Sequence, residues 1–153
     1  MLRVPVLFLA FLLSGAVAIP SLASSSRTDG SAVVIRNDRG GPLIERIAFI
    51  DRVRREKLEI RITGRICHSA CTLLAFLPEA CVDPRTRFGF HGPRIKGQRM
   101  DPAAFDRWST LMARYYPPTI RAWFLSRGRY RQGNDFFVLT GTEMVRHGAR
   151  PCS

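Results

Sequence analysis

Residues 69–77, Ser-Ala-Cys-Thr-Leu-Leu-Ala-Phe-Leu, are apolar all round a helical projection, and Pro78 ends the run. A helix with no polar face has to be enclosed by other elements. The sequence around it reads as those elements. Residues 58–62 alternate apolar and polar as a strand does, residues 64–68 read as a loop, residues 80–82 as a short strand, and residues 87–90 as a strand running into His91. Upstream, residues 32–36 form a β-branched strand, and a turn at residues 37–41 ends in Gly40-Gly41. Pro42 suits the first turn of a helix. Leu43, Ile44, Ile47, Ile50 and Val53 then recur at helical spacing to about Glu56.

Downstream, Asp101-Pro102 reads as a cap with proline at the first helical position, opening a helix to about Tyr115 that breaks at Pro117-Pro118. A second helix covers residues 119–127 and closes at Gly128. Residues 136–139 are a strand, and Thr140 with Glu143 resembles a capping box for a short helix ending near His147-Gly148. The alternation of strands and helices predicts an α/β domain with strand–helix crossover units. The sequence shows no internal repeat.

The first 23 of the 153 residues carry Arg3, an apolar stretch from Val4 to Leu13 and small residues at Ala16, Ala18 and Ala23. That is the pattern of a signal peptide, and the stretch is too short to span a bilayer. The expected organisation is a signal peptide at 1–23, a flexible polar start at 24–31 and one domain over 32–153, in a periplasmic or secreted protein with no stable membrane insertion after cleavage. The formal charge is +12, but 22 of the 24 cations are arginines scattered among Asp and Glu, without a basic block. No nucleic-acid partner is expected from that arrangement.

The four cysteines, Cys67, Cys71, Cys81 and Cys152, read as disulfide partners in an exported chain. Cys67 and Cys71 lie about one turn apart across a helix start, a poor geometry for bonding each other. The expected pairs are therefore Cys71–Cys81 with Cys67–Cys152, or the crossed alternative. Cys67, His68, Cys71 and Cys81 lack a second C-x-x-C pair, so no metal is expected.

The chemistry concentrates at Ser69 and His91. Ser69 stands where a strand and loop give way to the N-terminus of the buried segment, where free N–H groups and a partial positive charge gather. The Ala70 N–H is placed to face an oxyanion beside Ser69, and a tight Gly40-Gly41 turn can present a second N–H with no side chain in the way. Serine at a helix start is also a common cap, and His91 could be a turn histidine. His68 is expected to point away from the nucleophile, and His147 to serve a helix end.

Gly64-x(4)-Ser69-Ala, a buried segment and then Phe88-Gly-Phe-His-Gly-Pro93 together resemble the proteolytic subunit of Clp protease and its periplasmic ClpP-like relatives, within the ClpP/crotonase fold. Asp38-Arg-Gly-Gly41 is similar to that family's oxyanion loop. The likeness runs over about residues 32–148, and the family's first ββα unit is largely missing. It implies a serine hydrolase acting on peptide or other acyl bonds, with Ser69 as nucleophile, His91 as general base, Gly41 and Ala70 as oxyanion donors, and Asp135 as the triad acid unless a carbonyl orients the imidazole. It also implies that helices within 102–127 assemble copies of the chain, with no cofactor. The alternative is a non-catalytic binding or assembly protein on the same scaffold. A weaker reading is a membrane-surface protein using its positive charge.

Overall fold

The computed structural model describes residues 32–96, 98–131 and 133–153. The expected signal peptide at 1–23 and the polar start at 24–31 lie outside the described residues. In chain order the elements are β1 (Val33–Ile35), α1 (Leu43–Glu56), β2 (Ile60–Ile62), β3 (Ile66–His68), a 3-10 helix (Ser69–Leu74), β4 (Ala80–Val82), β5 (Arg87–Phe90), α2 (Pro102–Ala113), α3 (Pro118–Ser126), a second 3-10 helix (Gly128–Tyr130), β6 (Phe137–Thr140) and α4 (Gly141–Arg146). The chain is α/β.

The strands form two three-stranded sheets. One is all parallel in the order β1-β2-β4; the other has the order β3-β5-β6, with β3 parallel and β6 antiparallel to β5. The chain crosses from the first sheet to the second three times. After β1 it reaches Asp38, which bridges in parallel to Cys67; β2 leads to β3; and β4 leads to β5. A helical segment follows each crossing: α1, the 3-10 helix and α2. The second and third crossings thus each complete a strand–strand–helix unit that the sequence does not reveal as a repeat, and the first is an abbreviated form with a single bridge in place of the second strand.

The corners between the sheets are fastened to one another. Asn37 Oδ1 accepts from the Arg65 N–H at 2.9 Å, and the Thr86 hydroxyl donates to the Gly64 carbonyl at 2.5 Å. Gly64 has to be glycine here, because a Cβ would sit 2.3 Å from the Asn37 nitrogen.

Each helix ends where its residues dictate. Asp101 accepts from the Ala104 N–H at 3.0 Å and Pro102 opens α2, while Thr140 and Glu143 form a reciprocal capping box on α4. Lys57 closes α1 in a left-handed conformation at φ 52°. The core lies where α1 (Ile50, Val53), the two sheets (Ile60, Ile62, Phe88, Phe90) and the α2–α3 corner (Tyr116, Phe124) enclose Leu73 and Leu74, all of them buried. Each large apolar side chain so buried is worth about 1.5–3 kcal/mol, and Leu74→Ala would cost about 2–5 kcal/mol.

Three expectations need correction. Residues 66–68 are strand β3 rather than loop. The apolar run is a short 3-10 helix rather than a helix through residue 77: Ser69 begins it at φ 54°, and the Thr72 hydroxyl turns back to the Ser69 carbonyl at 2.7 Å, closing a tight turn. The disulfides are Cys67–Cys71, with Cα atoms 5.3 Å apart, and Cys81–Cys152, at 4.8 Å. A regular helix start would hold Cys67 and Cys71 in a poor geometry for bonding; the left-handed residue between them folds the chain back instead. The second pair forms because Pro151 bridges in parallel to Val82 and the Cys152 N–H donates to the Val82 carbonyl at 3.0 Å, laying the C-terminal stretch along β4.

Candidate functional site

A cavity of about 410 Å³ opens between the start of α1, the turn at Ser69, the stretch after β5 and one face of α2; Gly41, Ser69, Ala70 and His91 all line it. Each reaches the cavity by a different local device.

Ser69 follows β3 directly and occupies the left-handed region, unusual for a residue with a Cβ. Three groups hold it there. The Cys67–Cys71 disulfide brackets it, the Thr72 hydroxyl takes its carbonyl, and Gly40 lies so close that a Cβ there would sit 2.6 Å from Ser69 Cβ and 3.1 Å from its Oγ. Gly40 itself has φ 102°, so its need for glycine is double. Among the described residues Ser69 Oγ has no protein hydrogen-bond partner.

The Gly40-Gly41 loop is tied down by Asp38 and Arg46. Asp38 Oδ1 accepts the Gly40 N–H at 2.7 Å and its Oδ2 pairs with Arg46 Nη2 at 2.6 Å; the same Arg46 nitrogen reaches the Gly40 carbonyl at 3.3 Å. Both side chains are mostly buried, so the pair is shielded from solvent. Gly41 follows at φ 130°, with open space where its Cβ would be. Among the described residues neither the Gly41 nor the Ala70 N–H donates to a backbone carbonyl outside its own element. Sequence reasoning missed Asp38 and Arg46 as loop anchors, although their spacing of eight across a Gly-Gly turn into a helix was visible.

His91 leaves β5 with its Nδ1 2.6 Å from the Gly92 carbonyl oxygen. A carbonyl only accepts, so Nδ1 carries the proton, and the neutral ring has its lone pair on Nε2. Burial holds the His91 pKa below its ordinary 6.5; the Gly92 carbonyl opposes that shift and the charge on Arg94 adds to it. The Phe136 ring packs against His91 at 5.2 Å and against His68 at 4.4 Å. His68 does not line the cavity. Its pKa is also lowered, by burial first and then by Arg39, His91 and Arg87.

Asp135 is not joined to His91. It pairs with Arg131 at 2.8 Å and is 62% exposed, while the Gly92 carbonyl holds the imidazole nitrogen that a triad acid would take. The Cys/His group at 67–81 has its thiols in disulfides, leaving no thiolate as a ligand. Beneath Ser69, the Thr72 hydroxyl and Tyr116 hydroxyl lie 2.7 Å apart. Thr72 has one proton and gives it to the Ser69 carbonyl, so Tyr116 donates to Thr72. Burial pushes the Tyr116 pKa well above its ordinary value, which keeps that donor protonated.

The rest of the cavity wall is apolar, formed by Leu43, Ile44, Ile95, Met100, Trp108 and Met112 among others, with Arg94 beside them. Among the described residues no helix is long and apolar enough to cross a membrane. No protein-family model and no curated protein matches the chain.

Proposed function

We propose that the chain is an exported serine hydrolase of the ClpP/crotonase kind, acting on peptide or other acyl bonds. The observation that carries the reading is the single cavity whose wall includes Ser69, His91, Gly41 and Ala70. Two complete strand–strand–helix units and an abbreviated first one support the fold assignment, and two disulfides suit an oxidising compartment.

In this mechanism His91 is neutral at physiological pH, because burial disfavours its charged form. Its Nε2 takes the proton of Ser69 Oγ as Oγ attacks the acyl carbon, then delivers that proton to the leaving group as the scissile bond breaks. Water repeats the sequence to free the acid. The Gly92 carbonyl fills the orienting role of a triad acid, fixing tautomer and ring angle without adding negative charge. The N–H groups of Gly41 and Ala70 face the developing oxyanion, each worth about 2.7–4 kcal/mol in such sites. Assembly of copies through α2 and α3 belongs to the same reading.

Among the described residues no hydrogen bond joins Ser69 to His91. In the catalytic reading that contact closes around bound substrate, as loosely aligned resting sites do. The open contact favours the second reading, ligand binding without chemistry. Labelling with a fluorophosphonate probe separates the two. Wild type is expected to label, Ser69→Ala not at all, and His91→Ala at least about 100-fold more slowly. Equal labelling of wild type and Ser69→Ala, or no labelling of either, removes the hydrolase.

A further inference from the structure

Arg94 lines the cavity, half-buried, and is the one charged side chain among the described residues of its wall. Among the described residues its guanidinium has no carboxylate or carbonyl partner, and its Nε is buried with no acceptor. Arg129 also has a buried Nε without an acceptor, but its terminal nitrogens reach Asp106, and Arg46 has Asp38. A cation partly withdrawn from water without a counter-ion is under-solvated, and an incoming anion relieves that. Gly133 makes room for the group: a Cβ there would sit 3.0 Å from Arg94 Nη1. The charge is also near enough to His91 to depress its pKa.

We propose that Arg94 is an anion-recognition residue, and that the cavity takes an amphiphilic carboxylate, its apolar body against Leu43, Met100, Trp108 and Met112 and its carboxylate on the guanidinium. One guanidinium fork, the one charged group among the described residues of this wall, matches the planar, bidentate geometry of a carboxylate. The binding claim stands on the cavity alone. Its consequence, that the hydrolase prefers substrates with a carboxylate near the scissile bond, rests on the function proposed above. The carboxylate could be a peptide C-terminus or the head of an acyl chain.

Trp108 reports occupancy through its emission, with Trp108→Phe as the control for signal from Trp123. Wild type, Ser69→Ala, Arg94→Gln and Arg94→Lys are titrated with octanoate and octanamide, and with N-acetylphenylalanine and its amide. At least one carboxylate is expected to bind about tenfold tighter than its amide in wild type and Ser69→Ala alike. Arg94→Gln should abolish that difference, and Arg94→Lys should retain part of it. A preference in the octanoate pair alone identifies an acyl chain, and in the peptide-like pair alone a peptide terminus. Equal binding of carboxylate and amide in the unsubstituted protein, no carboxylate binding at all, or a preference that survives Arg94→Gln overturns the proposal. Ser69→Ala needs no chemistry to bind, so failed fluorophosphonate labelling with intact carboxylate preference removes only the hydrolase, and the converse removes only the anion site.

Discussion

Cys67–Cys71 joins residues four apart around Ser69, while Cys81–Cys152 joins β4 to a stretch 71 residues further on. The short bridge leaves little loop entropy for the unfolded chain to lose, so its main effect is on the folded backbone, holding the turn that carries the hydroxyl. The long bridge touches none of the cavity wall; it restrains the unfolded ensemble and clamps the C-terminal stretch along the first sheet. One crosslink shapes a site, the other holds a domain together.

The largest expected effect tests the long bridge. Replacing Cys81 and Cys152 by Ser should lower unfolding free energy by about 4 kcal/mol, read from urea midpoints, while kcat/KM under native conditions stays within about twofold. Replacing Cys67 and Cys71 by Ala should cost less stability and more activity. Loop closure accounts for about 2 kcal/mol of stability, but kcat/KM for an ester substrate should fall about 100-fold as Ser69 loses its fixed position. If the two variants lose stability and activity in the same proportion, the distinction is wrong.

Smaller effects sharpen it. Asp38→Ala frees the Gly40 N–H and unpairs the mostly buried Arg46, so it should cost about 1–3 kcal/mol in thermal or urea unfolding and about tenfold in kcat/KM. The Asp83–Arg85 pair is a surface contact with Arg85 almost fully exposed, and losing it should leave activity unchanged. The gentlest test is pH. His91 and His68 titrate below 6.5 in the folded protein, so the unfolded chain binds protons more readily. Stability is therefore fully present above 6.5 and falls as pH drops through and below that value. The acid limb of kcat/KM should lie below the ordinary imidazole range, and Arg94→Gln should move it upward. Profiles from about pH 8 to about pH 5 check both signs.

What the chain announced locally, the structure contains. Pro42, Asp101-Pro102 and the Thr140/Glu143 box each mark a helix start, because capping depends on residues within one turn. The Gly40-Gly41 turn was legible for the same reason. What stayed hidden depends on partners far along the chain. Strand β3 has three residues and no alternation to notice; it is a strand because β5 lies beside it. The Cys67–Cys71 pairing follows from the backbone sign at Ser69, which no composition rule supplies. Asp135 rests on the likeness of residues 134–148 to a family's closing stretch, whereas the imidazole takes the nearest carbonyl, one residue along, the alternative that the sequence left open. Phe136, which touches both His68 and His91, gave no signal beyond being aromatic.

The mirror-handed backbone at Ser69 has one more consequence. Glycine is the residue most at ease there, and serine in that conformation gives up about 1–2 kcal/mol that glycine would keep. A chain optimised for robustness alone would carry no hydroxyl at this point. The surroundings instead include a crosslink, a threonine hydroxyl and a cut-away neighbour that hold a less comfortable residue in place, so durability is surrendered locally and a hydroxyl lines an open chamber.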